Sequence, residues 1–324
     1  MHRTQYLGTH IPRTTPHVIR DFVNWLSANL SNQRLFTHRY IDRRTQHHWQ
    51  FNGLEDACRK YRWKHNGLVR VPAGNDLPSN HAALNALRMA LQHSLKLNAP
   101  ASDQAACAAA SAVMVWGGVQ AKNVSWFQAN IHGLAAMLVS TTAALNSGSL
   151  INPILQRAGL RFNAGMTKVY ALLANDLIIY DSRVAAALGW IVVKYCQAHR
   201  LTSVPSELAF PWAPAKEART VAYPKNRNPA QHGLLFPRLS AGPRYAEWNL
   251  KASWVLQAAL AQDTSSQFAQ PSTIPALRRL EAALFMIGYD LPQSNCLTPG
   301  NSIQLDAIPQ KQFPVAATKE CWGE

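Results

Sequence analysis

The chain has 324 residues, of which 48% are apolar, and a formal net charge of +15 from 32 basic and 17 acidic residues. This length and apolar content allow one large domain or two ordinary domains with a substantial core. The excess of basic residues favours a polyanionic partner, most often nucleic acid, although a general need for solubility would also explain it. An anionic membrane surface fits less well, because no long basic amphipathic helix stands out.

The cysteines and the N-terminus limit the class of protein further. The five cysteines contain no C-x-x-C pair, which argues against a zinc ribbon or an iron–sulfur cluster, and their odd number argues against a disulfide framework. They are Cys58, Cys107, Cys196, Cys296 and Cys321. The N-terminus lacks the apolar core of a signal peptide, and no apolar run reaches membrane-spanning length. We therefore expect a cytoplasmic protein without a metal or a cofactor.

Residues 1–80 are predicted to form a basic, aromatic region that packs on the rest of the chain. The pattern of residues 22–30 is typical of a helix, and residues 67–80 combine a short extended piece with a turn. The strip HRYIDRRTQHHW, residues 38–49, has two equally good interpretations, a phosphate-binding strip or a solvated face.

Residues 81–324 are predicted to form a mainly α domain with long irregular loops. Helical periodicity predicts helices at residues 81–97, 102–118, 125–145, 152–159, 245–262 and 273–289. Ser102 and Asn152 are candidate N-caps, and Gly159 is a candidate helix end. Residues 201–245 are rich in proline and polar residues and indicate an ordered surface loop, and the last thirty or so residues are expected to wrap the surface. The total is about seven to nine helices with few strands.

The segment from Asn163 to Val192 reads as two apolar helices joined by a turn, with two charged side chains at their edges. Gly165 permits a left-handed turn, and a turn that opens onto a helix leaves free N–H groups that bind phosphate. Asp181 can cap the second helix by accepting from Arg183 or Val184. The structural alternative is that Asp181 serves only as a helix cap, Gly165 only as a turn residue and Lys168 only as a lysine exposed to solvent. However, Lys168 in a first turn opposes the helix dipole, which favours an anion nearby.

These residues resemble the core of the helix-hairpin-helix DNA glycosylases, in particular the branch that is similar to 8-oxoguanine glycosylase. The resemblance rests on GMTKV at residues 165–169, an apolar helix, and IYDSRV at residues 179–184. It covers roughly residues 150–200, with the hairpin at about 153–175. Blocks that resemble the family more loosely are WGG at residues 116–118, RNP at 227–229 and YAEWNLKASW at 245–254.

The resemblance implies a mainly α helix-hairpin-helix glycosylase fold and a catalytic role for Asp181 and Lys168. The carboxylate would stabilise the positive charge that develops on deoxyribose and activate water, whereas the amine would form a Schiff base with the sugar. The hairpin residues that would hold a backbone phosphate are Asn163, Gly165, Met166 and Thr167. The target base must first be flipped into a pocket. The implied partner is double-stranded DNA that carries a modified base, bound by a monomer.

Three departures from the family bear on the substrate and the reaction. The spacing from Lys168 to Asp181 is shorter than in the 8-oxoguanine enzymes, which favours simple hydrolysis over an additional lyase reaction. Leu172 stands where the animal enzymes carry a cysteine against the flipped base, and residues 1–80 do not indicate their β-rich N-terminal domain. We therefore favour a hypermodified phage base, such as glucosylated hydroxymethylcytosine, as the substrate in anti-phage defence. Repair of 8-oxoguanine or another damaged base is the alternative.

The other candidates have both a functional and a structural interpretation. Arg183 either reaches a phosphate or pairs on the surface, and Arg227 lies in an irregular segment of the kind that often carries function. Candidates for the walls of the base pocket are Trp116, Trp126, Trp212 and Trp248, although most tryptophans at helical spacing belong to the core.

Two further hypotheses stay open at this stage. A non-catalytic helix-hairpin-helix protein would bind DNA in a salt-sensitive manner without releasing a base. A purely structural helical scaffold would leave the charge unexplained. The sequence contains no G-x-S-x-G, P-loop or H-E-x-x-H motif, so these other active sites are excluded.

Overall fold

The computed structural model describes residues 1–67, 72–119, 122–217 and 220–293. Within these ranges the chain forms twelve α-helices and one two-stranded sheet, which confirms the prediction of a mainly α protein. The helices are α1 (Arg3–Leu7), α2 (Val18–Asn29), α3 (Gly53–Arg59), α4 (Leu77–Ser94), α5 (Ala101–Trp116), α6 (Asn123–Ala129), α7 (Leu134–Asn146), α8 (Pro153–Gln156), α9 (Met166–Leu173), α10 (Ser182–Ala198), α11 (Pro243–Gln262) and α12 (Ala276–Ile287). No helix in these ranges is both long enough and apolar enough to span a membrane.

The long helix α4 shows how the sequence specifies these elements. Leu84, Leu87 and Leu91 recur at helical spacing and are buried on one face. The helix begins at Leu77, earlier than the predicted residue 81, because the Asp76 side chain accepts from the backbone N–H of Ser79 at 2.9 Å. The predicted turn at residues 67–80 is therefore partly helical, and its residues 68–71 lie outside the described ranges.

Three further predicted helices have boundaries that differ from those in the structure. Helix α5 begins at Ala101, so Ser102 lies inside the helix and does not cap it. The predicted helix at 125–145 is two helices, α6 and α7, because the chain turns at Gly133 with φ of +77°. Helix α8 is capped by Asn152 as predicted but ends at Gln156, before Gly159. The short helices raise the number of helices above the predicted range. The prediction for the last thirty residues lies outside the described ranges.

The basic strip at residues 38–49 forms an unpredicted hairpin of β1 (His38–Asp42) and β2 (His47–Phe51). The strands pair antiparallel, with His38 opposite Phe51. The strip is therefore two-sided, since exposed residues alternate with partly or fully buried ones along β1. Tyr40 stacks on Tyr289 with ring centroids 4.9 Å apart, so the hairpin packs against the end of α12.

Packing between distant parts of the chain brings the ends of several helices together. Helix α12 contacts α3 and α10, α11 contacts α2, and α4 contacts both α5 and α9. One hydrophobic cluster runs through all of these helices and includes Phe22 and Phe51 from residues 1–80. The described residues between α10 and α11 are irregular apart from a 3₁₀ turn at Ser206–Leu208. These helices enclose a pocket, and residues from the first turns of α9 and α10 line it.

Candidate active site

A pocket that is partly open to solvent lies where α4, α5, α9, α10 and α12 meet. Its apolar walls include four aromatic side chains, Tyr61, Trp63, Trp116 and Phe285. Its polar lining consists of Asn80, His81, Lys168, Asp181, Arg183, Arg278 and Glu281. A mostly apolar pocket with a few convergent polar groups is the usual form of a ligand-binding or active site.

Asp181 begins α10 as its N-cap, as the sequence predicted. Its Oδ1 accepts from the backbone N–H of Arg183 at 2.9 Å and of Val184 at 3.1 Å. Its Oδ2 lies 3.9 Å from the Nζ of Lys168, and the side chain is 16% exposed. One carboxylate oxygen therefore anchors the helix, while the other faces the lysine within the pocket.

Lys168 lies in the first turn of α9 but is buried, which contradicts the interpretation of this residue as a solvated lysine. Its Nζ donates to the carbonyl of Ala164 at 2.9 Å. Burial lowers the pKa of Lys168, and the negative charges of Asp181 and Glu281 oppose this shift. Gly117 makes room for the side chain, because a Cβ there would lie 2.6 Å from the Cδ of Lys168. The lysine is thus enclosed beside the carboxylate.

Glu281 is a second buried carboxyl group in the pocket, and it was not among the sequence candidates. Its Oε2 accepts from the backbone N–H of Ile179 at 2.9 Å, and its other oxygen pairs with Arg278. Burial raises the pKa of Glu281, Asp181 adds to this effect, and Arg278 and Lys168 oppose it. Glu281 therefore holds the strand-like segment that leads into Asp181 and adds charge close to Lys168.

The raised pKa of Glu281 gives a testable pH dependence. A group whose pKa is higher in the folded state stabilises the fold below its unfolded pKa, here about 4.5, and loses this contribution as pH rises through the folded pKa. The free energy of unfolding of the wild type should therefore fall relative to that of Glu281→Gln as pH rises above 4.5. Urea unfolding at pH 4.5 and at neutral pH measures this difference. The exposed Glu207→Gln is the control, and equal pH dependence of wild type and Glu281→Gln would contradict the assignment.

The guanidinium of Arg183 lies within a cage of three aromatic rings. Its central carbon is 4.1 Å from the ring centroid of Phe285, 4.8 Å from that of Tyr289 and 5.1 Å from that of Trp63. Among the described residues it has no hydrogen-bond acceptor and no ion-pair partner. Burial lowers the pKa of Arg183, and Asp181 opposes the shift. The structure thus places Arg183 at the pocket, in contrast to the surface pairing that was one alternative.

Arg227 is buried and holds two neighbouring segments together. Its Nε donates to the carbonyl of Tyr289 at 2.9 Å, and its Nη1 donates to the Oγ of Ser182 at 2.6 Å. Burial, together with the charge of Arg183, lowers the pKa of Arg227 to about 10. Because these donors are used inside the protein, Arg227 positions the first residue of α10, and the expected role as a DNA contact is not supported by its placement.

The turn before α9 differs from its predicted form. Gly165 has φ of −80°, so it does not adopt the left-handed conformation. Its lack of a side chain is needed for packing, because a Cβ would lie 2.2 Å from the Nδ2 of Asn123. The backbone N–H groups of Gly165 and Met166 are bonded to the Oδ1 of Asn163 at 2.8 and 3.0 Å. These two groups are therefore not free to bind a phosphate, which corrects the expectation for the turn.

Thr167 has a structural role that the sequence did not predict. Its hydroxyl is buried, accepts from the backbone N–H of Tyr180 at 3.0 Å and donates to the Oδ1 of Asn249 at 2.5 Å. Met166 is also fully buried. Thr167 therefore ties α9 to the segment that precedes Asp181, and this bond fixes the two ends of the site relative to each other.

The four candidate tryptophans divide between the pocket and other places. All lie in the described part of the chain, and of the four only Trp116 lines the pocket. Trp126 lies under Arg161, Trp212 under Arg238, and Trp248 packs against Phe210 beside Lys251. The structure therefore places the last three away from Lys168 and Asp181.

Sequence reasoning missed several residues that line the pocket, above all Trp63, Phe285 and Glu281. A signal existed for Glu281, which stands between the apolar Leu280 and Ala282 at the start of an apolar run in α12. Trp63 and Phe285 carry no such local signal, because only tertiary packing brings them together.

Comparison of the chain with protein-family models, with characterised proteins and with solved structures finds no match. Within the described ranges, no three His, Cys, Asp or Glu side chains cluster so that they could hold a metal ion. The chemistry of the site therefore has to be argued from its own residues.

Proposed function

We propose that this protein is a helix-hairpin-helix DNA glycosylase that excises a modified base and leaves an abasic site. The observation that carries the proposal is the Asp181 carboxylate, which uses one oxygen as a helix cap and directs the other to Lys168 in an aromatic-walled pocket. The net charge of +15 supports a DNA partner. Excision of a base requires a carboxylate in a fixed position beside the sugar. The hydrogen bonds from the first turn of α10 hold the Asp181 carboxylate in one position.

The proposed reaction begins when the target nucleotide leaves the duplex and its base enters the pocket. The bond from C1′ to the base nitrogen breaks, and the electron pair leaves with the base. The Oδ2 of Asp181 stabilises the positive charge on the sugar and accepts a proton from the water that adds to C1′. Proton transfer to the departing base or to solvent then restores the carboxylate.

The proposed DNA contact beside α8 and α9 is made by side chains, because the backbone N–H groups of Gly165 and Met166 are already hydrogen-bonded. Arg157 is exposed in the connection between the two helices, and Arg161 lies in the same connection over the ring of Trp126 at 5.0 Å. Arg161 also donates to the Oδ1 of Asn123 at 3.1 Å, which orders it at the surface. Arginine side chains at the surface beside a pair of helices commonly bind the phosphates of the DNA backbone.

The proposal is tested by incubating the protein with DNA and measuring released base and abasic sites. Oligonucleotides that contain 8-oxoguanine and phage DNA that contains glucosylated hydroxymethylcytosine distinguish a repair role from a defence role. We expect release from the hypermodified DNA. Salt-sensitive binding without release from any modified DNA would contradict the proposal and indicate a non-catalytic DNA-binding protein.

Although the short spacing from Lys168 to Asp181 favours simple hydrolysis, the burial of Lys168 beside Asp181 leads us to propose an additional covalent reaction with the sugar. Burial lowers the pKa of this amine, so more of it is neutral and nucleophilic than in an ordinary lysine. On abasic DNA the amine and the C1′ aldehyde form an imine with loss of water, and borohydride reduces the imine to a stable amine. We expect a trapped adduct with wild type and none with Lys168→Met. Lys251→Met, which removes a buried lysine away from the pocket, should leave trapping unchanged. Absence of an adduct with wild type would indicate simple hydrolysis.

A further inference from the structure

Two polar atoms of residues that line the pocket are buried without a hydrogen-bond partner among the described residues. They are the Nε1–H donor of Trp116, a residue that is 7% exposed, and the Oδ1 acceptor of Asn80, which is 1% exposed. The Nδ2 of Asn80 donates to the carbonyls of Trp63 and Asp76 at 2.8 and 2.9 Å, which fixes the amide so that its oxygen is the unpaired atom. Unpaired buried polar atoms are rare in folded proteins and indicate a ligand or an ordered water.

Arg183 adds unused donors to the same pocket. Its guanidinium lies over the ring of Phe285 at 4.1 Å and makes no hydrogen bond within the described ranges. A guanidinium that packs by its face on a ring keeps the N–H donors along its edge available. The residues that line the pocket therefore hold one unpaired acceptor, on Asn80, and two sets of unpaired donors, on Trp116 and Arg183, within the described ranges.

These groups define the chemistry of the ligand. The aromatic walls suit a planar ring, the oxygen of Asn80 requires an N–H donor, and the donors of Trp116 and Arg183 favour a carbonyl oxygen. Guanine-type, cytosine-type and uracil-type bases carry both groups, whereas an adenine-type base has no carbonyl oxygen.

We propose that Asn80, Trp116 and Arg183 are the specificity-determining residues, and that the excised base carries both an N–H donor and a carbonyl oxygen. This inference rests on the proposed glycosylase function, since it treats the pocket as the place of the flipped base. Adenine-type bases are disfavoured because they offer Trp116 and Arg183 only ring nitrogens, each with a single lone pair, whereas a carbonyl oxygen has two lone pairs and can accept from both donors.

Binding of free bases to the full chain tests the inference without any bond cleavage. The indole N–H signal of Trp116, identified by its loss in Trp116→Phe, should shift in NMR spectra when cytosine, uracil or hypoxanthine is added. Adenine and unsubstituted purine should cause little or no shift. An unchanged signal with every carbonyl-bearing base, or an equal shift with adenine, would overturn the inference.

Two variants measure the contribution of the donors. Trp116→Phe and Arg183→Met should each weaken binding of the best free base by roughly tenfold, because each removes a donor to the base. Trp248→Phe, a buried tryptophan away from the pocket, is the matched control and should bind as wild type does. If Trp116→Phe does not fold, the weaker base binding expected of Arg183→Met still tests the inference.

The two proposals fail in different ways. Base binding that depends on Trp116, without release of any base from DNA, would refute the glycosylase function and leave the recognition intact. Release of a base from DNA at the wild-type rate by Trp116→Phe and Arg183→Met would refute the recognition and leave the glycosylase function intact.

Discussion

Asp181→Asn is expected to reduce base excision by roughly 10²- to 10⁴-fold while the protein stays folded. Asparagine is as good an N-cap as aspartate, so its Oδ1 can keep the bonds to the backbone N–H groups of Arg183 and Val184. The substitution removes the negative charge that would stabilise the developing positive charge on the sugar. Rates of base release and urea unfolding curves separate the two effects.

The matched control for this variant is Asp76→Asn. Asp76 is also a helix N-cap, and its side chain accepts from the backbone N–H of Ser79, but it does not line the pocket. Its contact with Asn80 uses the backbone carbonyl and is therefore retained. Asp76→Asn should excise bases as wild type does. If Asp181→Asn also excises at the wild-type rate, the assignment of Asp181 as the catalytic carboxylate is wrong.

Gly288→Ala is expected to destabilise the protein by about 3 kcal/mol. A Cβ at Gly288 would lie 1.8 Å from the backbone carbonyl oxygen of Arg183, and a backbone atom cannot move aside as the tip of a side chain can. The end of α12 and the start of α10 would have to separate, which would also displace Asp181. The free energy of unfolding in urea and the rate of base release should therefore fall together.

Gly159→Ala is the control for this change in stability. A Cβ at Gly159 would meet no heavy atom within 4 Å, and the residue does not have positive φ. Its effect should be a small stabilisation, of about 0.4–1 kcal/mol, because alanine restricts the unfolded chain. A Gly288→Ala protein as stable as wild type would show that the two helices do not approach each other this closely.

The parts of the structure that could be predicted from the sequence are those set by local chemistry. Asp181 as a cap, Asn152 as a cap and the helical periodicity around Leu87 each depend on residues within one or two turns, and all three are confirmed. The break at Gly133 was missed because its apolar neighbours continue a helical pattern on both sides. The hairpin at residues 38–51 was missed because its turn lacks the usual glycine or asparagine.

The composition of the pocket could not be predicted in the same way. The cage around Arg183 joins Trp63 with Phe285 and Tyr289, and no local pattern relates these positions. The structural alternative placed Lys168 at a solvated first turn, but α4 and α5 contact α9 and Lys168 is buried. The occupied N–H groups of Gly165 and Met166 likewise depend on which way the side chain of Asn163 points, and sequence spacing does not fix that.

The packing of α12 against α3 and α10 has a consequence for synthesis of the protein. Helix α12 supplies Glu281 and Phe285 to a pocket that is also lined by Tyr61, which lies more than 200 residues earlier in the chain and is synthesised before them. Contacts between such distant segments form late and slowly during folding. A nascent chain that has not yet produced α12 therefore cannot assemble the pocket, so the ability to bind a ligand there would itself report that α12 has packed against the earlier helices.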